Sequence, residues 1–225
     1  MAECGFTRDQ SDDRIAIQGA GGRLDFVRVG ERWTHDLRLV TTGWALPADW
    51  PAIIASSVEI DPERDEPTRI VSPVYQEIQR HEFSAEQVRG QCVLLTGRAF
   101  KHIFSAALTL SRDANEPAFT VLDIDVADRC REPVESLAAS YLVRLGSSEL
   151  IEAGPHAIAW SGGAIGTARV ELHCDPPGRL ALAEAGRQAT RVQALAAINP
   201  GDFTHRLRYR WRWAAASDAD LASTR

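Results

Sequence analysis

A chain of 225 residues with 44% apolar and 25% charged residues has the composition of an ordinary folded protein, long enough to bury a core without disulfide or metal support. That composition excludes a largely disordered chain, a coiled coil and a collagen-like repeat. The net charge of −6 argues against bulk attraction to nucleic acid or an anionic membrane and leaves such contact only to a local patch.

The N-terminus has no basic stretch followed by an apolar one, and no window approaches 18 consecutive apolar residues, so neither a secretory signal nor a membrane span is expected. Cys4, Cys92, Cys130 and Cys174 form no C-x-x-C pair. Reduced, buried thiols and a cytoplasmic location follow. Residues 1–13 and 214–225 carry no periodic pattern and are expected to be loose ends around one β-rich domain at 14–213.

The dominant periodicity is two. Ile15 and Ile17 alternate, a Gly19-Ala20-Gly21-Gly22 turn follows, and residues 24–29 and 33–39 alternate again. Three alternating runs separated by glycine turns predict a β-meander. Residues 41–68, with Pro47, Pro51, Pro62 and Pro67, read as a long connection holding one short strand near 57–60. Further strands are predicted at 74–83, 92–98, 103–110, 119–126, 140–145, 157–160, 167–174, 180–183 and 204–213. Residues 134–145 also fit helical spacing, with a slight edge to strand. The Ala-rich stretch 180–198 is evenly balanced between helix and strand.

Several motifs fail on their own terms. Gly19–Leu24 lacks the sixth-position glycine and the following helix of a dinucleotide site, and Gly162–Thr167 lacks a phosphate-loop lysine. No G-x-S-x-G elbow exists, His81-Glu82 is no zinc-protease motif, and Asp123–Asp128 lacks the glycine and glutamate of a calcium loop. No cofactor and no metal is expected. His173 and Asp175 share a strand face without further ligands at diagnostic spacing, and His102 reads as a hydrogen-bonded core histidine.

The sharpest local feature is Thr204-His205-Arg206-Leu207-Arg208-Tyr209-Arg210-Trp211-Arg212-Trp213. Leu207, Tyr209, Trp211 and Trp213 take one face, as a core layer. Arg206, Arg208, Arg210 and Arg212 take the other, starting about 6.6 Å apart along a line. Such a row fits a linear anion, an anionic polymer or an acidic protein surface. It fits still better cross-strand pairing with carboxylates, for which Asp123, Asp125 and Glu171 are the candidates.

Four phrases, Ser72–Glu77, Gly97–Ser105, Asp125–Arg131 and Leu137–Tyr141, resemble an uncharacterised family of β-rich bacterial proteins over roughly residues 72–145. Relatives look like they carry tryptophan where this chain has Phe104. The resemblance implies a β-rich fold and a strand around Ser140, and it implies no activity.

Together these features predict an all-β, mainly antiparallel large sandwich or strongly curved sheet of about ten to fourteen strands, with few or no helices. The expected function is a non-catalytic binding or scaffolding domain contacting an anionic partner through the Arg row, with no membrane partner. The alternative is a carbohydrate-active enzyme in a concave sheet, with His35, His81, His102, His156 and His173 as candidate acid–base groups beside a carboxylate. A closed barrel with an apolar ligand cavity is a third possibility.

Overall fold

The computed structural model describes residues 13–19, 21–39, 53–58, 70–85, 88–162, 169–185 and 189–214, with backbone alone at 70, 81–85, 88–90 and 183–185. Every regular element among them is a strand. In chain order these are β1 (Arg14–Gly19), β2 (Gly22–Val29), β3 (Arg32–Leu39), β4 (Ala55–Val58), β5 (Ile70–Val71), β6 (Glu77–Ala85), β7 (Val88–Ala99) and β8 (His102–Arg112). There follow β9 (Phe119–Arg129), β10 (Ser136–Val143), β11 (Glu149–Ala153), β12 (Ala157–Ser161), β13 (Arg169–Cys174), β14 (Arg179–Ala185), β15 (Thr190–Leu195) and β16 (Thr204–Ala214).

They form two large sheets. The first runs β1-β2-β3-β4-β10-β15-β14, with the short β5 lying parallel to the start of β10. The second runs β11-β12-β13-β16-β9-β8-β7-β6, antiparallel throughout. Neither described sheet closes: the edges are β1 and β14 in one and β11 and β6 in the other, so the barrel possibility is set aside.

The alternation read from sequence explains the layering. Residues directly opposed in antiparallel strands share a face, so Ile17, Leu24 and Leu37 line up laterally in the first sheet. In the second sheet Leu108, Ile124 and Tyr209 do the same. One cluster of buried side chains draws on both sets and includes Phe26, Phe104, Trp160, Trp211 and Trp213. Glycine permits one close approach. A Cβ on Gly22 would stand 2.1 Å from Cζ2 of Trp213, whose Nε1 donates to Gly21 O at 3.2 Å. The glycine turn is therefore a hairpin, as its chemistry predicts, and also the seat of a core tryptophan.

The balanced segments resolve as strands. Residues 134–145 contain β10, buried almost throughout because β4 and β15 flank it. Residues 180–198 hold the β14–β15 pair, in which tertiary pairing overrides alanine's helix propensity. Strand β11 was not predicted; all five of its residues are exposed, so no alternation marks it. The predicted loose termini lie almost wholly outside the described residues, as does most of the 41–68 connection. Of the strand expected at 57–60, only Ser57 and Val58 fall within β4.

Candidate functional site

Strand β16 lies between β13 and β9, so both its neighbours present side chains to the Arg row. Leu207, Tyr209, Trp211 and Trp213 are buried beneath it, as alternation requires. The row is ion-paired along its length, but unevenly. Arg212 is the structural end: its guanidinium meets Asp113 at 3.0 Å, Glu116 at 3.1 Å and Glu171 at 2.8 Å, and lies 4.3 Å over the Phe119 ring. Glu171 also receives Arg169 at 2.5 Å and His173 at 2.7 Å. Burial alone would raise the Glu171 carboxyl; the hydrogen bond from His173 and the charges of Arg169 and Arg212 hold it below its usual value. Arg210 faces Asp123 at 3.2 Å. Asp123, Asp125 and Glu171 are the cross-strand partners expected from sequence.

The other end is different. Arg206 and Arg208 share one carboxylate, Asp125, with Arg206 Nε donating to Oδ1 at 2.7 Å and Arg208 Nε to Oδ2 at 3.2 Å. Burial opposes ionisation of Asp125, and the hydrogen bonds and charge of the two arginines overcome it, so its carboxyl is lowered. Both guanidiniums stay more than half exposed, at 57% and 52%.

Register brings two further arginines to this corner. Arg98 of β7, Ile103 of β8, Arg129 of β9 and Thr204 of β16 stand in one lateral row. The next row holds Glu77, Thr96, Ser105, Ala127 and Arg206. Arg98 and Arg129 are exposed and carry no ion pair with any carboxylate among the described residues. The Arg98 backbone is pinned, since Gln76 Oε1 accepts from Arg98 N at 2.6 Å and Gln76 Nε2 donates to Arg98 O at 2.8 Å. Glu77 accepts from Thr96 Oγ1 at 3.0 Å. The corner thus brings four arginines to one face, two of them on Asp125, over a floor of small side chains: Thr96, Ser105, Ala107 and Ala127. Sequence reasoning missed Arg98 and Arg129. Extending the alternation of the predicted 119–126 strand to residue 129 would have placed Arg129 on the face of Asp125.

The histidines do not converge. His35 belongs to the first sheet, His156 to the turn before β12, and His173 to the outward face with Glu171. The side chain of His81 lies outside the described residues. His102 is paired as a core histidine should be, with Nδ1 2.8 Å from Asp128 Oδ2 and its ring stacked on Phe104. The structure adds His205, directly opposed to Asp128 in register. His205 Nε2 and Asp128 Oδ1 are both buried without a hydrogen-bond partner.

A polar seam crosses the core where the sheets face each other. His35 Nε2 lies 2.8 Å from Tyr141 Oη, which lies 2.8 Å from Tyr209 Oη in the opposite sheet. Burial lowers the pKa of His35 from 6.5 to about 4 and raises those of Tyr75, Tyr141 and Tyr209, so all four stay neutral near pH 7. Trp33, Ser57, Ser72 and Tyr75 join them around a cavity of about 30 Å³, the scale of one or two waters. Among the described residues no group of three or more His, Cys, Asp or Glu side chains is disposed to hold a metal ion, and no helix is long and apolar enough to cross a membrane.

No protein-family model matches the chain, and no curated protein matches it.

Proposed function

We propose that this protein is a non-catalytic binding domain that contacts an anionic partner through the corner formed by Arg98, Arg129, Arg206 and Arg208. The carrying observation is the charge inventory of that corner, where two arginines share Asp125 and two more have no carboxylate partner among the described residues. Guanidinium forks left exposed above a floor of small side chains are available to phosphate, sulfate or carboxylate groups. Arg212, enclosed by three carboxylates, serves the fold instead, and Arg210 lies between these roles. The free Cys92, Cys130 and Cys174 suit a reducing, cytoplasmic setting.

A carbohydrate-active enzyme would need an acid–base group open to substrate. Among the described residues, two histidines lie beside one carboxylate only at Asp128, paired with His102 and opposed to His205 in register; Asp128 is fully buried, as His205 nearly is. The corner is therefore the better-supported site. Retention on a heparin column at low salt tests it. The wild type should be retained and the Arg206→Gln/Arg208→Gln variant should elute earlier; equal elution would end the proposal.

A further inference from the structure

The same corner carries the most exposed aromatic side chain among the described residues, in a backbone conformation that disfavours it. Strands β7 and β8 pair down to Ala99 and His102, leaving a two-residue turn of Phe100 and Lys101. Phe100 has φ +53°, a left-handed value that glycine takes freely and a bulky residue takes only under strain. It is 92% exposed, so no contact within the fold compensates. Two more apolar groups stand at this end of the sheet. Ile103, 45% exposed, is the third residue past Phe100, and Phe203, 64% exposed, directly precedes β16. The Phe203 carbonyl accepts from Cys130 N at 3.1 Å, which fixes it beside the end of β9. Strands β8 and β16 are separated by β9 alone, so the two phenylalanines stand at the same end of the second sheet.

We infer that this end of the sandwich docks on an anionic phospholipid surface, with Phe100 and Phe203 entering the headgroup–acyl boundary while Arg98, Arg129, Arg206 and Arg208 engage the phosphates. The inference rests on the anion-binding corner proposed above and names its partner. Projecting aromatic tips with a cationic collar are what an interfacial contact needs: apolar area to bury and charge to attract anionic lipid. The net charge of −6 disfavours non-specific approach to such a surface, which leaves the contact to a local patch. A single-stranded nucleic acid fits less well. It calls for aromatic rings in the floor between the arginines, and that floor is Thr96, Ser105, Ala107 and Ala127.

Co-sedimentation of the full chain with vesicles of phosphatidylcholine, alone or mixed with phosphatidylglycerol, tests this. The wild type should pellet with the mixed vesicles and not with phosphatidylcholine alone. Phe100→Gly should bind the mixed vesicles about tenfold more weakly, from the lost apolar insertion. Its melting temperature should be no lower than that of the wild type, because glycine suits φ +53°, and its heparin retention should not change. Phe203→Ser should weaken vesicle binding as well, while Leu150→Ser, at the exposed edge strand β11, should not. Failure of the wild type to bind mixed vesicles while heparin retention persists would overturn the lipid inference and leave the anion-binding proposal standing. Loss of both would overturn both. Vesicle binding unchanged by Phe100→Gly, or a Phe100-dependent affinity for a single-stranded oligonucleotide in place of vesicles, would also overturn it.

Discussion

Replacing His35 with glutamine should flatten the stability of the fold between pH 6.5 and about 4.5. Burial holds the folded-state pKa of His35 near 4, while the unfolded chain titrates near 6.5. Between those values the unfolded state binds a proton that the folded state refuses. Stability is therefore full above pH 6.5, falls as the pH is lowered, and stops falling on this account once the folded histidine also protonates near 4. A gap of about two and a half pH units, at about 1.4 kcal/mol each, corresponds to about 3 kcal/mol. The carboxyls of Asp113, Asp125 and Glu171 are all lowered in the fold, so their contributions are lost only below this window; Asp123, raised by burial, works in the opposite direction. Glutamine keeps a polar group near Tyr141 Oη without a titrating proton. Urea unfolding midpoints at half-unit pH steps read the effect directly. Parallel curves for the wild type and His35→Gln from pH 6.5 to 4.5 would refute the assignment.

Three further substitutions separate structural from surface roles. Gly22→Ala should destabilise by about 1–3 kcal/mol, because the new methyl overlaps the Trp213 ring and the sheets must part to admit it; thermal unfolding with tryptophan fluorescence checks this. Arg212→Ala should cost about 2–3 kcal/mol by leaving buried Glu171 with fewer cationic partners, while Arg206→Ala should leave the urea midpoint nearly unchanged, since exposed pairs contribute little. Tyr209→Phe should cost about 1–2 kcal/mol in chemical denaturation, because it removes the hydroxyl that meets Tyr141 Oη in the core.

The fold was legible wherever one face of a strand is buried and the other solvated. Residues 103–110, 119–126 and 204–213 alternate because each packs one face on the core, and all three are strands in the expected places. Legibility failed at the two extremes. Strand β11 is exposed on both faces and β10 buried on both, so neither shows a clear period of two. The Ala-rich 180–198 segment has local preferences that point to helix, and only its pairing partners, far away in sequence, decide otherwise. The candidate site was half visible. Four arginines on one strand announce themselves, but which of them are neutralised depends on Asp113, Glu116 and Glu171, brought to Arg212 from other strands and turns. The face of Arg129 follows from the alternation of its own strand, but Arg98 joins the corner through register, which no local pattern encodes. Phe100 at positive φ likewise has no sequence signature, since turn chemistry would place glycine there.

The most direct measurement is the affinity of the full chain for a heparin oligosaccharide as a function of salt. The log–log slope counts the cationic groups that displace counterions. A corner of four guanidiniums partly offset by Asp125 and Glu77 predicts a slope of about −2 in the wild type, falling to near zero in Arg206→Gln/Arg208→Gln. A slope near zero in the wild type, or one that the double substitution leaves unchanged, would contradict an anion-binding role for this face.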